Sequence, residues 1–124
     1  MATPEQMKAT VHAYAAAFAA SDAEQVVALY AADATVEDPI GSEVLKGHDA
    51  IRAFYTRSMG MGAKLFIQEP IRVVQNTAAF AFYVIVEQPN MRMQIDVIDL
   101  FEFNNEGKVT SMRAYWGPEN MKTT

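Results

Sequence analysis

The chain has 124 residues, a mass of 13.7 kDa and 51% hydrophobic residues; that is enough for one core and one buried pocket but not for two domains, so residues 1–124 read as a single domain. A formal charge of -5, a pI near 4.9 and scattered Lys and Arg remove the electrostatic footprint of a nucleic-acid or anionic-membrane binder and favour an apolar or neutral small ligand. There is no Cys, which excludes disulfides, thiol nucleophiles and Cys-based zinc sites, and MATPEQMK has no apolar signal core; the chain reads as soluble and cytoplasmic, with no membrane partner.

TPEQ places Thr3 at an N-cap, Pro4 at the first helical position and Gln6 in a capping box, after which Met7, Val11, Tyr14 and Phe18 share a helical face as far as about Ser21. Asp22 is positioned to cap a second helix with Val26, Leu29 and Tyr30 on its apolar face. A short strand, ATVED at 34–38, follows, and then Asp49 opens a third helix carrying Ile51, Phe54, Tyr55 and Ser58 at helical spacing. From about Ala63 the hydrophobic period changes to two. KLFIQEPIRVVQ, AFAFYVIVE, MRMQIDVIDLFEF and KVTSMRAYW are separated by the polar turns QNT, QPN and NNEG. Three helices and then four long strands predict an α+β layer arrangement, with the helices covering one face of a curved, mostly antiparallel sheet. Ile98 and Leu100 make the opposite face of that sheet apolar in places, which predicts a homodimer.

Two carboxyl groups break this pattern. In QIDVIDLFEF, Ile95, Val97, Phe101 and Phe103 share a face with Asp99. An ionised carboxylate there is strongly disfavoured, so Asp99 implies a shifted register, a charge partner or a protonated acid. In ATVEDP, alternation turns Ala34, Val36 and Asp38 inward and Thr35 and Glu37 outward, and Pro39 keeps Asp38 extended at the strand end. A lone Asp-Pro is usually just a turn. Two inward carboxyls on different strands of a small apolar domain instead look like a pair with separate tasks.

Three inward phenols, Tyr14, Tyr30 and Tyr55, each need a hydrogen-bond partner if buried, and they can satisfy one another. Phe80, Phe82, Val84 and Val86 align on one strand, and Met112, Ala114 and Trp116 on another. Such stripes are ordinarily plain core; the polar groups embedded in them are what point to a cavity.

Tyr14, ATVEDPIGSE with Asp38, AIRAFY with Tyr55, AAFAF, DVIDLFEF with Asp99 and GKVTSMRAYW together resemble the bacterial ketosteroid isomerases, or steroid delta-isomerases, across nearly the whole chain. That resemblance implies a conical, nuclear transport factor 2-like fold that dimerises through its sheet. It implies isomerisation of β,γ-unsaturated 3-ketosteroids to their conjugated isomers, with no cofactor and no metal. Asp38 would be the base, and Tyr14 and a protonated Asp99 the donors to the ketone oxygen. Tyr55 and Tyr30 would orient Tyr14, and Phe54, Phe82, Phe101, Met112 and Trp116 would pack against the steroid. Departures from the family pattern fall in RSMGMGAKLFIQEP and VEQPNMRMQ, which flank the expected pocket mouth.

Other readings carry less weight. His12 lies off the Met7/Tyr14 face and His48 stands beside Asp49 at a helix start, a poor metal pair. Arg52, Arg72 and Arg113 raise the Asp-Arg-Asp epoxide hydrolases, or cyclases, of the same fold, but Arg113 alternates away from Met112 and Trp116. A steroid-binding module without catalysis also fits the pocket, yet has no use for the full set of Tyr14, Asp38 and Asp99.

Overall fold

The computed structural model describes residues 1–123. Helix α1 (Pro4–Ala19) begins as the sequence predicts: Gln6 N donates to Thr3 Oγ1 at 3.1 Å and Thr3 N donates to Gln6 Oε1 at 2.9 Å. Its buried face is Met7, Val11, Tyr14, Ala17 and Phe18, laid across β3 (Ala63–Val74).

The second helix differs from expectation. With Asp22 at its N-cap, α2 covers only Ala23–Val27, and Tyr30 opens strand β1 (Tyr30–Glu37) instead of lying on a helix. Tyr30 still turns inward and is buried. The third helix, α3 (His48–Gly60), is capped by Gly47 and not by Asp49, whose carboxylate sits in the first turn and accepts from Arg52 Nη1 at 3.0 Å. Gly47 has φ +90°, open to glycine but strained for Asp.

Among the described residues seven strands form one sheet, ordered β2-β1-β6-β5-β4-β3, with β4 (Thr77–Gln88), β5 (Met91–Phe103) and β6 (Val109–Tyr115) consecutive within it. All neighbours are antiparallel except β1 and β6, which run parallel. Two short strands that the alternation does not reveal, β2 (Leu45–Lys46) and β7 (Met121–Thr123), pair with β1 and with β5. Both are too short to carry a periodic signal.

The register of β3 on β4 shifts between Gln68 and Arg72, around Pro70, where a residue without N–H cannot donate to the ladder. An irregularity of this kind increases the local bend of an edge strand. At the α3–β3 turn, Gly62 has φ +81° and a Cβ there would approach Glu87 O at 3.1 Å, so this corner admits glycine best.

Inward-facing rings concentrate at one end of the cone. Phe101 and Phe80 are almost fully buried, with centroids 5.0 Å apart, and Tyr14 meets Phe101 edge-on at 5.3 Å. No helix among the described residues is long and apolar enough to cross a membrane.

Candidate active site

Strand register brings the two carboxyl groups together. Val36 pairs with Met112 and Glu37 with Arg113 along the parallel β1–β6 ladder, and Ile40 N donates to Ala114 O at 2.9 Å. Asp38, at the end of β1, is thereby held level with Ala114, whose partner on β5 is Asp99. Two strand spacings separate the pair, roughly 10 Å across the sheet. Alternation turns both to the concave face, while Glu37 points the other way and pairs with Arg113 at 3.5 Å.

A cavity of about 230 Å³ opens between the helices and this face. Its wall includes Tyr14, Asp38, Phe54, Tyr55, Phe82 and Trp116, six of the ten residues singled out in the sequence. Asp99 is one register step deeper: Phe82 pairs with Val97 at the wall, and Phe80 pairs with Asp99 behind it. Tyr30 lies behind Tyr55. Phe101 and Met112, expected to touch a ligand, are fully buried and not part of the wall; Phe101 backs Tyr14 and Phe80 from the core side.

The remaining wall, Phe18, Ser58, Met61, Ala63, Leu65, Val84, Val86, Ile95 and Val97, lies outside the steroid contacts that the resemblance implies, although Val84 and Val86 belong to the inward stripe read from the sequence. Ser58, Met61, Ala63, Leu65 and Val86 belong to the two stretches that depart from the ketosteroid isomerase pattern. Alternation marks these positions as inward but cannot separate wall from filled core.

Trp116 has a role that packing considerations miss. Its indole N–H donates to Asp38 Oδ1 at 2.7 Å. Burial pushes the Asp38 carboxyl above its ordinary value, and the Trp116 hydrogen bond partly opposes that by favouring the charged form. Asp38 is therefore a basic carboxylate held by one donor, half-buried at the cavity edge.

Asp99 is 1% exposed and neither carboxyl oxygen has a hydrogen-bond partner among the described residues. Burial, and secondarily the charge of Asp38, raise its pKa well above the usual carboxylate range. A protonated Asp99 keeps an O–H to donate, and an unpartnered buried polar group of this kind asks for a reason.

The three phenols form one chain. Tyr30 and Tyr55 oxygens are 2.7 Å apart, and Tyr55 and Tyr14 oxygens 3.0 Å apart. All three pKa values are raised well above 10.0, chiefly by burial, so the phenols stay neutral. If Tyr30 donates to Tyr55 and Tyr55 to Tyr14, the Tyr14 proton is left for a ligand. At the far end, His48 Nε2–H donates to the Tyr30 carbonyl at 2.9 Å, tying the start of α3 to the start of β1.

The other charged candidates lie elsewhere. His12 meets Glu69 at 3.3 Å on the surface. Arg52 pairs with Glu24 and Asp49, Arg72 donates to Pro70 O at 3.2 Å, and Arg113 holds Glu37 on the outer face. None of these arginines lines the cavity.

Helices closing a cavity on a curved sheet, with one carboxyl and two phenols on its wall and a second carboxyl buried behind it, define a nuclear transport factor 2-like domain. The chain belongs to the SnoaL-like domain family, whose model matches residues 11–112. It is 36% identical over 119 residues to the Steroid Delta-isomerase of Nocardioides simplex, covering 96% of each chain. It is also similar to the solved structure of SalBIII, described as an epoxide hydrolase/cyclase-like enzyme in pyran ring formation in the polyether salinomycin. There the TM-score is 0.93, the identity 25%, and coverage 100% of both chains.

Proposed function

We propose that residues 1–124 act as one ketosteroid isomerase-like domain, a steroid delta-isomerase that converts β,γ-unsaturated 3-ketosteroids to conjugated α,β isomers. One observation carries the reading: two carboxyls share one face of the sheet, Asp38 on the cavity wall and held by an N–H donor, Asp99 one register step deeper, fully buried and with no partner among the described residues. The first suits a base, the second a neutral donor, and the family relationship to a steroid delta-isomerase points the same way.

Asp38 takes a proton from the carbon between ketone and alkene. The C–H electrons form a new C=C bond and the carbonyl electrons move to oxygen, giving a dienolate. Tyr14 O–H and protonated Asp99 donate to that oxygen, where charge develops in a water-poor site. Asp38 then returns the proton to the far end of the dienolate, completing the conjugated ketone. Both transfers balance within the substrate. Tyr55 and Tyr30 position Tyr14, and Phe54, Phe82 and Trp116 pack on the flat ring system. Steroid carbon skeletons offer little but apolar surface, which matches this wall.

The test is ultraviolet absorbance during incubation with 5-androstene-3,17-dione, because conjugation creates an enone band. Growth of the band above the buffer rate supports the reading, and no growth at any pH sinks it. Within the same assay, Trp116→Phe removes the donor that lowers the Asp38 pKa, so the rising limb of the pH-rate profile is expected to move to higher pH. An unmoved limb would show that the indole N–H does not tune the base.

The likeness to SalBIII favours a second reading, in which Asp38 activates a hydroxyl and Asp99 protonates an epoxide to close a ring. Accumulation of a ring or diol from small epoxides, without enone formation from the steroid, would select it. Retention of a phenolic steroid with neither reaction would select a binding protein.

A homodimer through the outer face of the sheet is also proposed. Phe66, Ile98 and Tyr115 are 44%, 50% and 48% exposed on that face, and Phe66 stacks on Tyr83 at 5.1 Å. Several large apolar side chains exposed on one sheet face favour a partner. Sedimentation at micromolar concentration is expected to give twice the chain mass; a mass of one chain withdraws the dimer.

A further inference from the structure

The titratable groups of the cavity wall each already have a hydrogen-bond partner in the protein. Asp38 accepts from Trp116, and Tyr14 is bound to Tyr55. Among the described wall residues, one other side chain carries a hydrogen-bonding group: Ser58. Its hydroxyl donates to the Phe54 carbonyl, 3.1 Å away and one turn back along α3. The single proton of Ser58 is thus in use, and its oxygen presents lone pairs to the cavity as an acceptor.

Its place along the cavity follows from helix and strand geometry. Ser58 is three residues beyond Tyr55 on the same helical face, about 4.5 Å further along the axis. Next in chain order on the wall come Met61 and Ala63, and Ala63 is in register with Val86. Across the cavity, Phe82, Val84 and Val86 step outward from the Phe80–Asp99 pair by about 6.6 Å each. Ser58 therefore belongs to the outer half of the cavity, away from Asp99.

We infer that Ser58 reads the end of the ligand opposite the reacting ketone, accepting a hydrogen bond from a donor there, so that a steroid with a distal hydroxyl is preferred over one with a distal ketone. The inference rests on the ketosteroid reading of the cavity. A distal ketone would bring its own lone pairs against those of Ser58 and gain nothing for the water it loses. A hydroxyl supplies the missing proton.

Binding tests this without turnover. Trp116 is the sole Trp of the chain and lines the cavity, so its fluorescence reports occupancy. Two flat steroids with a phenolic first ring, differing only in a 17β-hydroxyl or a 17-ketone, are titrated into wild type, Ser58→Ala and Ser58→Thr. The hydroxyl form is expected to bind wild type about 3- to 10-fold more tightly, the worth of one neutral hydrogen bond. Ser58→Ala should bring the ratio near one, and Ser58→Thr, which keeps the oxygen, should retain most of it. Alanine is well tolerated in a helix, so folding is not at issue. The same preference should show in KM and not in kcat for the matching 3-ketosteroid pair, because the distal contact is equal in ground and transition states.

A ratio that Ser58→Ala leaves unchanged, beside normal isomerisation, overturns the role of Ser58 alone. A hydroxyl preference lost in Ser58→Ala, in a protein that isomerises nothing, upholds Ser58 and withdraws the isomerase reading. A wild-type preference for the ketone overturns the inference outright.

Discussion

Asp38→Asn is expected to bind a phenolic steroid within a few-fold of wild type while turnover falls by about 10²- to 10⁴-fold, the usual worth of a positioned general base. The amide keeps the size of the side chain and still offers an oxygen to the Trp116 N–H at the position of Oδ1, so the cavity is not disturbed. What it loses is the lone pair that takes the proton. The pH dependence separates this from a packing effect. Asp38 acts only when ionised, and burial raises its pKa above the ordinary value of 3.8. Wild-type rate should therefore climb as pH rises through that elevated value and then level off, whereas the residual rate of Asp38→Asn should lack that limb. Near-normal turnover in the variant removes Asp38 as base.

Asp99→Ala removes a donor from the oxygen that gains charge, and a kcat loss of about 10²- to 10³-fold is expected for one such donor. Asp99→Asn keeps an N–H in nearly the same place and should recover most of the rate. Equal, small losses in both variants would remove Asp99 from the oxyanion site. Stability should move in the opposite sense. Burial raises the Asp99 pKa in the folded protein, so the native state holds a proton that the unfolded chain releases above about 3.8. Between that value and the raised folded value the native state binds more protons, and stability falls as pH rises. Asp99→Asn has no such proton to hold. Urea unfolding should show the midpoint of Asp99→Asn gaining on wild type steadily from about pH 4 upward. Parallel pH dependences in the two proteins would mean that Asp99 ionises freely.

Alternation made much of this site readable in the sequence. Asp99 stands among Ile95, Val97, Phe101 and Phe103 with the right parity, and β5 keeps that register without a break until Glu102. Asp38 could be oriented because Ala34 and Val36 define the inner face and Pro39 ends the strand. Tyr30 was placed inward correctly but on the wrong element, since a period of 3.6 over five helical residues cannot be told from the first residue of a strand. The Gly47 cap was hidden for a similar reason: Asp49 is the more familiar capping residue, but the chain bends two residues earlier. The Trp116–Asp38 hydrogen bond spans 78 residues and depends on β6 lying beside β1, which no local pattern encodes. Phe101 and Met112 share the parity of the wall residues; how far the helices stand off the sheet decides that they are covered while Phe82 is not.

The parallel β1–β6 ladder has a consequence for how the molecule becomes active. Strand β6 is inserted between β1, some 75 residues earlier, and β5, its neighbour in sequence. Until it docks, Asp38 and Asp99 belong to separate pieces of backbone, and Trp116 has no carboxylate to meet. Non-local pairing of this kind bears the loop-closure entropy last. A chain in which β6 has not docked would hold the two carboxyls on separate pieces of backbone, so the proposed activity is expected only once the closing strand is in place. Recovery of the proposed activity during refolding is expected to follow the docking of that strand.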